Sequence, residues 1–430
     1  MQRDIPATDR SLKAFHLLQP VGGGVPRVVT DLVDEQLRCG TAAVVACDPD
    51  LPQARVLRAA GATVLDWRAS RNPGPASVRE TREVAHLVRL ARPDVVHAHS
   101  AKAGLAARLA LRGRVPTVFQ PHAWSFAAVE GPLATATVAW ERLAARWCER
   151  IVCVSEAERL RGQEAGIAGR WEVIPNGVDL RRFHPPTTRQ ARHAARPTVV
   201  CVGRLCRQKG QDVLLAAWPR VLREVPGARL VLVGGGEGQG GAGLAGAGLA
   251  GVEFAGDVAD VLPVLHRADL LVLPSRWEGM ALAPLEAMAC GLPVVVTDVD
   301  GARESLPPGH EDRCLVPPED PEALAGALVP LLRSVSLRST LGRQAYEHAR
   351  ASFDVRRTAE AVLEVYRQVT SETAGVRDRK PSTEPVAARD PQAAPGQLAA
   401  QNERPAPGQL AVQDRQPASE SGGSRERQSV

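Results

Sequence analysis

Short apolar runs alternate with helix-length amphipathic patterns along this chain, and the alternation breaks once and starts again. The first set of runs falls at 14–18, 42–47, 63–65, 95–99, 117–120, 151–154 and 171–174. The second falls at 198–202, 230–233, 252–254, 270–273 and 294–297. Runs this short and this apolar are strands buried on both faces beneath crossover helices, which makes parallel α/β sheets. The 430 residues are enough for two or three domains. Near 183–197, Pro, Thr, Arg and His replace the apolar pattern, so the boundary is expected there, between domains at 12–190 and 196–352.

Two stretches resist packing. Ten of the eighteen residues at 234–251 are glycine, and each interior glycine costs a helix ~1 kcal/mol relative to alanine. A surface loop or a weak helix is expected there. Residues 374–430 contain no aromatic side chain, and the octet at 394–401 (APGQLAAQ) recurs at 406–413 (APGQLAVQ). Such a segment cannot bury enough surface to offset its chain entropy, so a disordered tail is expected.

The charge balance is +5, yet only Lys13, Lys102, Lys209 and Lys380 are lysine and the arginines are scattered. Without a basic stripe, nucleic acid is not an expected partner. A weakly basic surface does favour peripheral contact with an anionic membrane face. The eight cysteines form no C-x-x-C pair, and most lie inside apolar runs. They read as buried free thiols in a reducing compartment. No apolar core follows the N-terminal charges and no apolar span reaches 18 residues. The expectation is therefore a cytoplasmic protein without a leader or a spanning helix.

The richest segment is 278–286, Glu-Gly-Met-Ala-Leu-Ala-Pro-Leu-Glu. Pro284 suits the first helical position and Gly291 the stop. Glu286 is then expected in the first turn, with the N–H groups of Gly279, Met280, Ala281 and Leu282 pointing outward. Amide donors and the positive end of a helix dipole suit an anion. The flanking carboxylates of Glu278 and Glu286 suit hydroxyl groups. Capping alone would account for Glu286 at about 0.3–1 kcal/mol, whereas Glu278, ahead of the turn, has less structural reason to be there. Two carboxylates also fit a hydrolase acid/base pair.

Two further turns follow strands. Gly22-Gly23-Gly24 resembles the start of a dinucleotide fingerprint, but Arg27 occupies the third glycine position. A plain tight turn and a phosphate loop fit Gly23 and Gly24 about equally. In Gly203-Arg204-Leu205-Cys206-Arg207-Gln208-Lys209-Gly210, Arg204 offers a planar fork and Lys209 a point charge close to a helix start. Those charges suit a diphosphate leaving group; solvated loop cations are the plainer alternative. The order is not that of a Walker loop.

His97 and His99 alternate on one strand, but no third metal ligand follows at suitable spacing and H-E-x-x-H is absent. Satisfied structural histidines are expected, and no metal site. His122, in a Pro-containing loop after a strand, is better placed to reach a cleft. No G-x-S-x-G elbow is present, which argues against a serine hydrolase.

The glycine turn, Arg204 with Lys209, Pro175-Asn-Gly-Val-Asp179 and the Glu278…Glu286 segment together resemble the retaining glycosyltransferases of family 4, over roughly residues 12–370. The resemblance implies the GT-B fold: two Rossmann-like domains facing a cleft. The acceptor would lie mainly in the first domain and the nucleotide-sugar in the second, with a helix at 353–372 packing back on the first. It also implies roles. Arg204 and Lys209 would bind the donor diphosphate, and Glu286 the ribose. Glu278 would hold the transferred sugar's hydroxyls, and His122 would stand near that sugar. Gly23 and Gly24 would approach the phosphates, Val258 would lie by the base, and Gly279 to Leu282 would give backbone donors. No metal or other cofactor is implied, since Arg and Lys take its place.

The expected activity is transfer of a hexose or N-acetylhexosamine from an NDP-sugar (UDP or GDP) to a glycan or lipid-linked acceptor, with retention, at the inner face of the plasma membrane. A sugar-nucleotide epimerase of the same fold and a non-catalytic nucleotide-sugar binder are the alternatives.

Overall fold

The computed structural model describes residues 11–19, 22–70, 73–187, 196–236 and 248–378, with side chains to 373. Most of the glycine-rich stretch, part of the expected domain boundary and the region beyond 378 lie outside the described residues.

Thirteen strands form two all-parallel sheets among the described residues. The first contains β1 (Lys13–Leu18), β2 (Ala42–Cys47), β3 (Thr63–Asp66), β4 (Val95–His99), β5 (Thr117–Gln120), β6 (Arg150–Cys153) and β7 (Trp171–Val173), in the order β3-β2-β1-β4-β5-β6-β7. The second contains β8 (Thr198–Val202), β9 (Arg229–Val233), β10 (Val252–Gly256), β11 (Leu270–Leu273), β12 (Val294–Thr297) and β13 (Leu315–Val316), in the order β10-β9-β8-β11-β12-β13. Both sheets reverse direction of winding beside their first strand, between β1 and β4 and between β8 and β11. In doubly wound sheets, ligands collect at the carboxyl ends of strands at such a switch point.

The sequence explains the burial. Every residue of β4, β5, β6, β11 and β12 is buried, as expected of central parallel strands covered by helices on both faces. One face of the first sheet is covered in part by the Gly24–Arg38 helix. Its buried stripe includes Val28, Val29, Leu32, Val33 and Gln36, at helical spacing. The same face receives the last helix, Val355–Asp378, through Ala359, Val362, Leu363, Tyr366 and Val369, which pack with Ala14, Leu32, Val95 and Val118. That helix continues through Asp378, past the point where the tail was expected to begin.

The chain thus passes from the first sheet to the second and returns, and the two crossings touch. Val178 N–H donates to Phe353 O at 2.8 Å, and Val355 N–H donates to Val178 O at 3.1 Å. Thr358 Oγ1 donates to Pro175 O at 3.0 Å. A Cβ on Gly177 would stand 2.4 Å from Val355 Cα, so this contact requires glycine.

Five of the eight cysteines are buried and all are free thiols. Burial pushes the thiols of Cys201, Cys290 and Cys314 up to about 12, so at neutral pH they stay protonated and behave as small apolar groups.

Candidate active site

The loops after β8 and β11 are stitched together at the switch point of the second sheet. Arg276 N–H donates to Gln208 O at 2.8 Å, and Gln208 Nε2 donates to Trp277 O at 3.0 Å. Arg276 forms a bidentate pair with Asp212 and a second pair with Glu319. Gly210 has φ 62°, and a Cβ there would fall 2.0 Å from Pro274 O. Glycine is therefore required for the helix at Gln211–Glu224 to start so close to the β11 loop. Within this frame Lys209 Nζ lies 2.5 Å from Glu278 Oε1, which also accepts from Ser275 Oγ at 2.7 Å. The stem of Lys209 lies over Gly203, where a Cβ would sit 3.3 Å from its Cγ and Cδ. The cation and carboxylate singled out in the sequence thus meet at one point.

The facing lobe contributes Gly23. Its φ is 97°, and a Cβ there would stand 3.4 Å from Arg204 Nε; one at Gly24 would stand 3.8 Å from Leu282 Cδ1. The glycine turn after β1, the Arg204 fork after β8 and the start of the Leu282–Ala289 helix therefore lie together across the cleft. Val258 is half-buried just beyond β10. The neighbouring Asp257 accepts from Gly235 N–H, and Leu205 N–H donates to Gly235 O at 2.8 Å.

The helix after Glu278 begins two residues earlier than the sequence suggests. It spans Leu282–Ala289, so Pro284 is its third residue and Glu286 lies in the second turn. The reason is general: the first four N–H groups of a helix have no intrahelical partner, so proline is tolerated beyond the first position. Gly291, at φ 72°, ends it as expected. Glu286 is 8% exposed, and burial raises its carboxyl to about 7, with Arg27 pulling the other way and Asp31 adding to the rise. Arg182 and Asp260 complete this cluster of charges. None of these four neighbours carries a motif, which is why the sequence did not reveal them.

His122 and Ala123 have φ of 55° and 103°. Two successive non-glycine residues in this region signal strain held by their surroundings. The holding group is Glu158, wholly buried, which accepts from Ala123 N–H at 2.6 Å and Val154 N–H at 2.7 Å. Burial pushes its carboxyl up to about 7, against those two hydrogen bonds. Ser155 caps the helix Glu156–Glu164, accepting from Glu158 N–H at 3.1 Å, and donates across the cleft to Gly279 O at 3.0 Å. Asn176 Nδ2 donates to Met280 O at 2.7 Å. A side chain at Gly279 would collide with Ala123, so the loop holding His122 and the Glu278–Gly279 turn are in close contact.

His122 Nε2 lies 3.1 Å from His99 Nδ1, so the strand histidines and the loop histidine form one connected group. His99 Nε2 lies 3.1 Å from Nδ1 of His16, on the adjacent strand β1. Burial pushes His16 down to about 4 and His122 to about 3, and holds His97 and His99 well below the usual imidazole range. No third ligand follows His97 and His99 at suitable spacing in the sequence, yet His16 stands beside them. The partner precedes them by some eighty residues and is brought in by strand pairing, with His16 in register with His97.

Comparison with known proteins gives the family. Residues 22–182 match the family described as Glycosyltransferase Family 4, and residues 196–334 match Glycosyl transferases group 1. The D-inositol 3-phosphate glycosyltransferase of Kineococcus radiotolerans is 31% identical over 324 residues, covering 67% of this chain and 74% of that protein. The chain belongs to glycosyltransferase family 4. This family 4 glycosyltransferase is also 38% identical over 175 residues to the GDP-mannose-dependent alpha-(1-6)-phosphatidylinositol monomannoside mannosyltransferase of Mycobacterium tuberculosis. That match covers 36% of this chain and 46% of the relative. Its GT-B fold is shared with Anabaena HepE in complex with UDP and glucose, at a TM-score of 0.69 and 22% identity, covering 82% of this chain and 99% of that one. Among the described residues, no helix of this glycosyltransferase is long and apolar enough to cross a membrane.

Proposed function

We propose that this glycosyltransferase moves a hexose or N-acetylhexosamine from a UDP- or GDP-sugar to a glycan or lipid-linked acceptor, with retention of anomeric configuration. The observation that carries the reading is the Lys209–Glu278 pair at the β8/β11 switch point, in the same lobe as Arg204 and with Gly23 facing Arg204 across the cleft. A diphosphate set there meets two cations as its charge grows, which stabilises the departing group more than the bound donor. Glu278, released from Lys209 by the arriving phosphate, turns to the sugar's hydroxyls, and Glu286 to the ribose. Val258 flanks the base, and the amides from Gly279 to Leu282 line the phosphate side. The bond from the anomeric carbon to the diphosphate breaks while the acceptor oxygen attaches on the same face. A leaving phosphate oxygen takes the acceptor's proton.

A lipid-linked acceptor is supported by the Gly131–Ala144 helix. Leu133 and Leu143 are 61% and 40% exposed there, and exposed Arg142 and Arg146 flank Leu143. Apolar side chains flanked by arginine suit peripheral docking on an anionic leaflet.

The full chain is tested with a panel of labelled UDP- and GDP-sugars, with and without inositol phosphates, inositol lipids and oligosaccharides. Acceptor-dependent nucleotide release, with a product of the donor's anomeric configuration by NMR, supports the proposal. Epimerised donor, or binding without turnover, overturns it.

A further inference from the structure

We propose that His16, His97 and His99 form a binding site for one divalent transition-metal ion of the zinc class, inside the first lobe and separate from the diphosphate site. Their ligand atoms all lie within 4.8 Å of one another and all three side chains are buried. The arrangement is two histidines at alternate positions of β4 plus one from the adjacent strand β1, all directed to one face of the sheet. That face is the one covered by the Gly24–Arg38 and Val355–Asp378 helices.

The hydrogen bonds sort the six ring nitrogens into two sets. One nitrogen of each ring is anchored outward: His16 Nε2 to Gln36 Oε1 at 2.9 Å, His97 Nδ1 to the Tyr366 hydroxyl at 2.6 Å, and His99 Nδ1 to His122 Nε2 at 3.1 Å. The other three nitrogens are His16 Nδ1, His99 Nε2 and His97 Nε2. The first two face each other at 3.1 Å. The third is buried without a hydrogen bond of ordinary geometry, its nearest polar neighbour being the Gln120 side chain on β5, an uncommon state for a polar atom. Gln36 Oε1 can only accept, which puts the proton of His16 on Nε2 and leaves its Nδ1 lone pair turned inward. An outer ring of partners that fixes the tautomer of each ligand is the usual support of a histidine metal site.

Distance and chemistry select the ion. Imidazole nitrogens bound tetrahedrally at 2.0–2.1 Å stand roughly 3.3 Å apart, close to the 3.1 Å between His16 and His99. Three neutral imidazoles without a carboxylate suit zinc, copper, nickel or cobalt and not the oxygen-seeking magnesium or calcium. Since the site is walled by two helices, the ion enters as the lobe folds. Its effect on the cleft is through one bond. Metal on His99 Nε2 obliges Nδ1 to carry the proton and donate to His122 Nε2. This places the proton of His122 on Nδ1.

The full chain is refolded in chelator-treated buffer with one to three equivalents of ZnCl2 or CoCl2, then desalted. We expect one retained equivalent by elemental analysis, and the intense visible absorption of four-coordinate cobalt. His97→Gln removes both, while a variant with His184→Ala and His266→Ala, a surface pair elsewhere, keeps both. If His97→Gln does not fold, Tyr366→Phe, which removes one hydroxyl, weakens zinc affinity about 10–100-fold. Less than a tenth of an equivalent on the native chain overturns the proposal, as does cobalt without tetrahedral absorption. Retention unchanged in both His97→Gln and Tyr366→Phe overturns it as well.

Discussion

Gly279 leaves room for the opposite lobe: a Cβ there would stand 2.9 Å from the backbone nitrogen of Ala123. The same atom would meet Val154 Cγ2 at 2.9 Å and Glu158 Oε1 at 3.1 Å. Because Ala123 N–H is already committed to Glu158, the backbone cannot step aside cheaply. Gly279→Ala is expected to prop the cleft open, lowering kcat/KM about 10-fold or more while each lobe stays folded. Turnover measured beside circular dichroism checks this; native kcat/KM would show that the contact does not matter to closure.

Lys209→Ala removes the cation beside Glu278. If Lys209 meets the leaving diphosphate, kcat falls roughly 10²–10³-fold, the usual cost of one such donor. The variant also leaves Glu278 with Ser275 alone, at roughly 1–3 kcal/mol of stability. Glu278→Gln relieves that charge, so Lys209→Ala with Glu278→Gln should recover stability but not turnover. Rates and denaturant midpoints on the three variants separate the two effects.

Glu158 and Glu286 both carry carboxyls raised to about 7 by burial. In the unfolded chain these groups lose their protons near pH 4.5, whereas in the fold they keep them to about pH 7. Between those limits the folded state holds more protons, so stability falls as pH rises, by at most about 1.4 kcal/mol per pH unit for each group. A melting temperature that declines from pH 5 to 7 is expected, with Glu158→Gln and Glu286→Gln each flattening the decline. An unchanged slope in both variants would contradict it.

Leu133→Glu and Leu143→Glu place charge on the exposed face of the Gly131–Ala144 helix. Co-sedimentation with vesicles containing anionic lipid should fall several-fold, while turnover of a water-soluble acceptor stays native. Equal sedimentation of native and variant chains would remove this helix from membrane contact.

The strands were legible because parallel sheets buried on both faces read as apolar runs, and twelve of thirteen were placed to within a residue or two. The two-residue β13 was too short to register. Glycines required by a positive φ, such as Gly23, or by close approach, such as Gly279, also stood out, since few other residues fit. The start of the Leu282–Ala289 helix did not, because proline suits several early positions. Pairings made by topology were not legible either. Nothing near Glu304 announces that its carboxylate accepts from the N–H groups of Glu156 and Ala157 at 2.7 and 2.8 Å, closing the cleft from the far lobe. Arg161 and Asp300 meet in the same way, at 2.8 Å. His16 likewise needed the sheet order to bring it beside His97.

The crossing of Val178 and Asp354 has a bearing on how such enzymes diversify. Both connecting segments pass through one knuckle and are tied to each other there by backbone hydrogen bonds. A graft that borrows the donor half from a relative must therefore bring along 175–182 and 353–373 as a matched pair. Exchange at the first connection alone would leave the returning helix seated against a foreign partner.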